Sequence, residues 1–213
     1  MVLPCSKKYP KLKSNFKADL SKEQRLAPLL DFYYLKHLKQ YSFERIHDLE
    51  QQFLGIDVIL TDKKTGTTYF VDEKAQLDYI NENLPTFAFE LFYEKDHTQK
   101  QGWLFDASKK THFYALVTSI FSDEEDSFTA CNITFVNREK LIQHLTSLHL
   151  TQKRFQEIVL QHKGYHGKMG LEKLHPWHEG YLFFSTQNKA EKPINLILKL
   201  DYLIAVGVAK RLV

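Results

Sequence analysis

The sequence predicts an α+β (mixed α/β) fold, a central mixed sheet flanked by helices, and three observations carry that expectation. The chain opens with a capped, amphipathic helical stretch. Two apolar runs rich in β-branched and aromatic residues then flank a short polar turn. Beyond them, strand-like and helix-like segments alternate to the end. With 213 residues and sparse Gly and Pro, the chain fits one domain: a core over about 42–150, an N-terminal helical arm over 1–41 and a C-terminal elaboration over 151–213.

Residues 20–53 read as mostly helical. Ser21 is a plausible N-cap with Gln24 three residues on, and Leu26, Leu29, Leu30, Tyr33, Tyr34 and Leu38 recur at helical spacing. Pro28 either kinks this helix or marks its start. A break near residues 40–42 divides two helices, with Ser42 capping the second. Residues 55–60 and 69–76 follow as the apolar runs of a β-hairpin around the polar turn 61–66, with residues 63–66 as its loop. Residues 86–93, entered after Pro85, are expected as the third strand of a meander, and residues 112–118 and 130–136 as two more strands. Helices are expected from Asn137 to about residue 147 and over 151–162, then strands over 181–185 and 194–200 and a short helical run.

Charge and cysteine content narrow the setting. A net charge of +3 identifies no partner, but Lys7, Lys8, Lys11, Lys13, Lys17 and Lys22 face only Asp19 in the first 22 residues. Such an arm can track phosphates, or be a solvated terminus. Cys5 and Cys131 have no knuckle or disulfide-framework spacing, and no run reaches the ~20 apolar residues of a membrane span. A cytoplasmic protein without a membrane partner is expected.

Counting back from the hairpin loop places Asp62 opposite Thr67 and Asp57 opposite Asp72, with Asp72, Lys74 and Gln76 on one face. Opposed carboxylates repel unless something compensates, and a divalent cation is the obvious candidate. Mg²⁺ or Mn²⁺ prefers carboxylate oxygens and retains waters. A lysine beside it can stabilise charge on a phosphate or help activate water, and Gln76 can bind the same water. The competing view is that Asp72, Glu73 and Lys74 are merely the polar end of a solvent-facing strand.

Asp57, followed by Asp72-Glu73-Lys74 and Gln76 after an acid-bearing helix, resembles the PD-(D/E)xK (restriction-endonuclease-like) nuclease superfamily over about residues 42–117, and in particular its uncharacterised bacterial and phage-associated members. The first motif is Ile56-Asp57, where Pro-Asp is commoner. The resemblance implies metal ligation by Asp57, Asp72 and the main-chain carbonyl of Glu73, with Lys74 as the catalytic lysine. It also implies a helix acid, Asp48 in preference to Glu50, because Gln52 lies one turn later. Glu90, between Phe89 and Leu91, is expected to face the same surface and joins Lys7, Lys8, Lys11, Lys13 and Lys17 as a candidate nucleic-acid contact.

The expected activity is metal-dependent hydrolysis of nucleic acid, with DNA favoured over RNA by the resemblance, and a homodimer is one arrangement it allows. The alternatives are a catalytically inactive nucleic-acid-binding or assembly module of the same fold, and an enzyme acting on another phosphoester. His162, His166, His175 and His178 cluster around Trp177. Without cysteines they read as surface histidines or a contact loop before zinc ligands. Trp103 reads as a packing residue.

Overall fold

The computed structural model describes residues 16–124, 127–187 and 191–213, with side chains from residue 21 onward. Lys7, Lys8, Lys11 and Lys13 lie outside the described residues, as does the side chain of Lys17. Helix α1 (Phe16–His37) runs through Pro28 without ending, and buries Leu26, Leu30 and Tyr34, spaced four apart on one face. Residues 41–45, expected as helix, form strand β1 (Tyr41–Arg45) instead. Tyr41, Phe43 and Arg45 are half-buried while Ser42 and Glu44 are exposed, so a period of two outweighs the weak helical pattern. Asp48 then caps the short helix α2 (Leu49–Phe53).

Strands β2 (Val58–Asp62) and β3 (Thr68–Ala75) form the expected hairpin. Its turn is fixed by the Asp62 carboxylate, which accepts from the N–H groups of Lys64 at 2.8 Å and Thr65 at 2.9 Å, and by Gly66 at φ 71°. There follow β4 (Thr86–Lys95), β5 (Thr98–Gln101), β6 (Phe113–Glu124), β7 (Ser127–Asn137), α3 (Arg138–Ser147) and α4 (Gln152–Gln161). Asn137 and Thr151 cap the two helices as their positions suggest. The chain continues through β8 (Gly167–Met169), β9 (Gly180–Phe184), β10 (Ile194–Lys199), α5 (Leu200–Ala205) and β11 (Ala209–Arg211). No helix among the described residues is long and apolar enough to cross a membrane.

The strands form two sheets where one was expected. The first has the order β1-β2-β3-β6-β7-β11, the second β5-β4-β10-β9-β8. The meander expectation is corrected: β4 leaves for the second sheet, and β6 pairs with β3 in parallel. The physical reason lies in burial. From Tyr114 to Ile120 every residue of β6 is buried, which suits a central strand covered on both faces, whereas β4 alternates. The segment between β3 and β6 supplies the long connection a parallel pair requires.

Two cores result. On one face of the first sheet, α1 packs over Val58, Leu60, Val71, Ala115, Val117 and Ile133. On the other, Tyr114, Leu116 and Val136 meet Phe89, Leu91, Leu196 and Leu198 of the second sheet, together with α3, α4 and α5. Residues 151–213 are therefore woven into both sheets, not appended to a finished core.

Candidate active site

The β2–β3 ladder runs from Thr61 opposite Thr68 to Val58 opposite Val71. One residue further the strands part: the Asp57 N–H bonds the Val71 carbonyl at 2.9 Å, and Asp57 Oδ2 accepts the Glu73 N–H at 2.7 Å. That carboxylate satisfies a strand N–H the ending ladder would leave without a partner. On its other side β3 pairs with β6, Asp72 beside Tyr114 and Lys74 beside Leu116. Asp72 and Lys74 thus face the inter-sheet core, and Glu73 faces α1.

Asp72 is 1% exposed. Its Oδ1 is paired with Lys74 Nζ, and its Oδ2 has no hydrogen-bond partner among the described residues. Gly55 keeps the space beside that oxygen open. At φ 75° it suits glycine, and a Cβ there would lie 2.2 Å from Thr111 Oγ1 and 3.2 Å from Asp72 Oδ2. Three bonds hold this loop against the approach to β6: Thr111 Oγ1 donates to the Gly55 carbonyl at 2.9 Å, the Lys110 N–H to the Leu54 carbonyl at 2.8 Å, and Lys109 Nζ to the Phe53 carbonyl at 2.6 Å.

Burial and the neighbouring Asp72 push the Asp57 carboxyl up to about 7, against the pull of Lys74 and the Glu73 N–H. Burial alone would lower Lys74, but the charges of Asp72 and Asp57 outweigh it and hold the ammonium above the ordinary lysine range. Lys74 Nζ also lies 5.6 Å from the centre of the Trp103 ring, which packs on Tyr114 at 4.8 Å and Phe89 at 5.5 Å. Trp103 is a packing residue, as expected, and it backs the lysine. Lys74 reaches a cleft of about 560 Å³ at the rim of the two sheets, lined also by Gln76, Thr86, Tyr181 and Asn195. Gln76 shares the face but its Nε2 donates to the Thr86 carbonyl at 2.9 Å, so it ties the sheets together.

Other expected site residues are placed elsewhere. Asp48 is exposed, and its carboxylate accepts from the Gln51 N–H at 3.2 Å within its own helix turn. Glu50 is exposed, and Gln52 Nε2 donates to the Ile46 carbonyl at 2.9 Å. The Glu73 side chain accepts from Arg45 at 2.6 Å and from the Tyr34 hydroxyl at 2.7 Å on the α1 face, which leaves its main-chain carbonyl as the group the resemblance assigns to a metal. Glu90 sits opposite Asn195 in the second sheet, on the same face of β4 as Thr86 and Ala88, the face that lines the cleft reached by Lys74. The histidines do not converge: His162 Nδ1 contacts the Ile158 carbonyl of its own helix, while the rings of His175 and His178 are 4.6 Å apart. Gly55, Lys109 and Thr111 were missed. Gly55 alone carried a signal, as a glycine just past a helix end.

A hard divalent cation fits this pair of acids. One has a buried oxygen without a partner, the other is repelled by it, and a glycine holds room beside them. Among the described residues no group of three or more His, Cys, Asp or Glu is arranged to hold a metal, so the remaining ligands would be waters or backbone oxygens. Comparisons with protein-family models, with curated proteins and with solved structures found no match.

Proposed function

We propose that the protein is a cytoplasmic, metal-dependent nuclease that hydrolyses phosphodiester bonds in DNA at Asp57, Asp72 and Lys74. The observation that carries this reading is Asp72, a carboxylate 1% exposed with one oxygen bound to Lys74 and the other without a partner beside Asp57. A buried unpaired charge-bearing oxygen costs free energy, and such groups persist mainly where they do chemistry. Mg²⁺ or Mn²⁺ held by the two aspartates would supply positive charge to the phosphate.

Lys74 stays protonated, so its role is that of a cation facing the phosphate through the cleft and not of a base. Without the cation Asp57 holds a proton up to about 7, so loading the metal at neutral pH would displace that proton. Trp103 and Asp72 fix the ammonium between them, which limits its reorganisation during the reaction.

The test is cleavage of single-stranded, duplex and branched DNA with Mg²⁺, Mn²⁺ or EDTA. Lys74→Ala and Asp72→Asn are each expected to lower the metal-dependent rate by about 10²–10³-fold, the usual loss for one charge-stabilising group. DNA binding without cutting under any metal would remove the enzymatic reading. The pairing of Lys74 with Asp72, which offsets the two charges, would then favour a non-catalytic nucleic-acid-binding or assembly module.

A further inference from the structure

A second cavity, of about 630 Å³, lies on the opposite face of the first sheet from Asp72. Its floor is a row of rings from neighbouring strands: Tyr41 and Tyr69 with centroids 6.1 Å apart, Tyr69 and Phe113 at 5.7 Å, Phe113 and Phe135 at 6.4 Å. The row exists because α1 covers only part of this face. Leu26, Leu30 and Tyr34 roof the sheet, the helix ends at His37, and the rings beyond that point are left half-buried.

The rim is basic. His37 from the end of α1, Lys140 from the first turn of α3, and Lys210 and Arg211 from β11 surround the floor, and no carboxylate among the described residues lines the cavity. Arg211 has an ion pair at 3.5 Å with Asp201, but Asp201 is 87% exposed, so solvent screens that contact. Lys140 from α3 and Lys210 and Arg211 from β11 therefore line one mouth above a floor of rings that meet edge to face, at interplanar angles of 84°, 72° and 73°.

From this juxtaposition we infer that the cavity binds a free nucleotide, its base against the row of rings and its phosphate held by Lys140, Lys210 and Arg211. The volume is within the roughly 300–1,000 Å³ of small-molecule sites. Aromatic rings stack with a base regardless of its identity, and guanidinium and ammonium groups suit phosphate oxygens. The basic, aromatic-floored mouth excludes cationic ligands and gives an uncharged aliphatic one no use for its rim. The site is on the far face of the sheet and does not depend on the nuclease reading.

Calorimetric titration in EDTA decides the matter, with nucleoside monophosphates, the matching nucleosides, inorganic phosphate and a short single-stranded oligonucleotide as ligands. The expected result is saturable binding of at least one monophosphate, with its nucleoside and inorganic phosphate each at least about tenfold weaker. The Lys140→Ala/Arg211→Ala double variant, altered only at exposed positions, is expected to keep its melting temperature and lose at least about tenfold in affinity. Absence of saturable binding, or undiminished binding by the double variant, would overturn the inference. So would an oligonucleotide that binds more tightly than every monophosphate.

Discussion

Asp57 couples folding to the candidate chemistry through a single proton. Its carboxylate completes the hydrogen bonding of β3 at Glu73, yet burial and Asp72 raise its pKa from 3.8 to about 7. Between those two values the folded chain holds a proton that the unfolded chain has released. Stability contributed by that proton is present below pH 4 and is lost as pH rises through about 7. At about 1.4 kcal/mol per unit the ceiling is a few kcal/mol. Asp57→Asn keeps an oxygen for the Glu73 N–H and cannot ionise. In EDTA it should melt on the order of 5 °C higher than the parent at pH 8, with the gap closing toward pH 4. Thermal melts across that range check this, and a gap that is flat or widens at low pH would contradict it. The nearness of Asp57 to Asp72 was legible, since strand alternation and turn length fix the register as far as Val58 opposite Val71, although the ladder ends one residue short of the expected pair. Asp48 and Gln76 were not: each carries the expected residue type, but a closer backbone group claims its side chain, the Gln51 N–H for one and the Thr86 carbonyl for the other.

The elements are held in place by a polar network beneath the same hairpin. Arg45 on β1 bonds Asp31 on α1 and Glu73 on β3, and Tyr34 of α1 donates to Glu73 as well. Arg45 and Glu73 are only 16% and 13% exposed, so losing one partner leaves a desolvated charge. Arg45→Ala should destabilise the protein by roughly 3 kcal/mol, toward the low end for a buried pair because Tyr34 still serves Glu73. Adding Glu73→Gln should restore part of that loss, because the residual group is then neutral. Denaturant titration of the two variants measures both steps, and a double variant less stable than Arg45→Ala would show that the charge is not the cause. This network was hidden in the sequence because β1 was read as helix. Five residues with Tyr41, Phe43 and Arg45 inward satisfy a strand period, but a run that short competes poorly with the long helical pattern before it. The hairpin turn and the Asn137 and Thr151 caps were legible because their chemistry is local.

At the scale of the whole molecule, the two sheets share one core, and the segment expected to decorate it builds much of it. Strand β10 lies between β4 and β9, with Leu196 and Leu198 fully buried, and β11 closes the first sheet against β7. Nothing local in residues 86–93 reveals that they pair with residues a hundred positions later. That contact is non-local, and only the absence of room beside a fully buried β6 forces it. It makes the C-terminal third indispensable. A chain ending after Leu150 loses α4 and β8–β11, strips β4 of its longer partner and uncovers Phe87, Phe89 and Leu91. That exposed apolar surface and unpaired strand edge cannot be compensated within residues 1–150. The truncated chain should lose its near-ultraviolet circular dichroism and bind a hydrophobic dye, whereas the full chain should unfold with coincident near- and far-ultraviolet transitions. A truncated chain with a cooperative transition and native near-ultraviolet signal would mean that the first sheet and α1 form a core sufficient on their own. Asp57, Asp72 and Lys74 all lie on that sheet, but Trp103, which backs the lysine, packs on Phe89 of the second. The lysine's fixed position, and with it the electrostatics of the candidate site, therefore depends on residues far downstream of the motif that marks it.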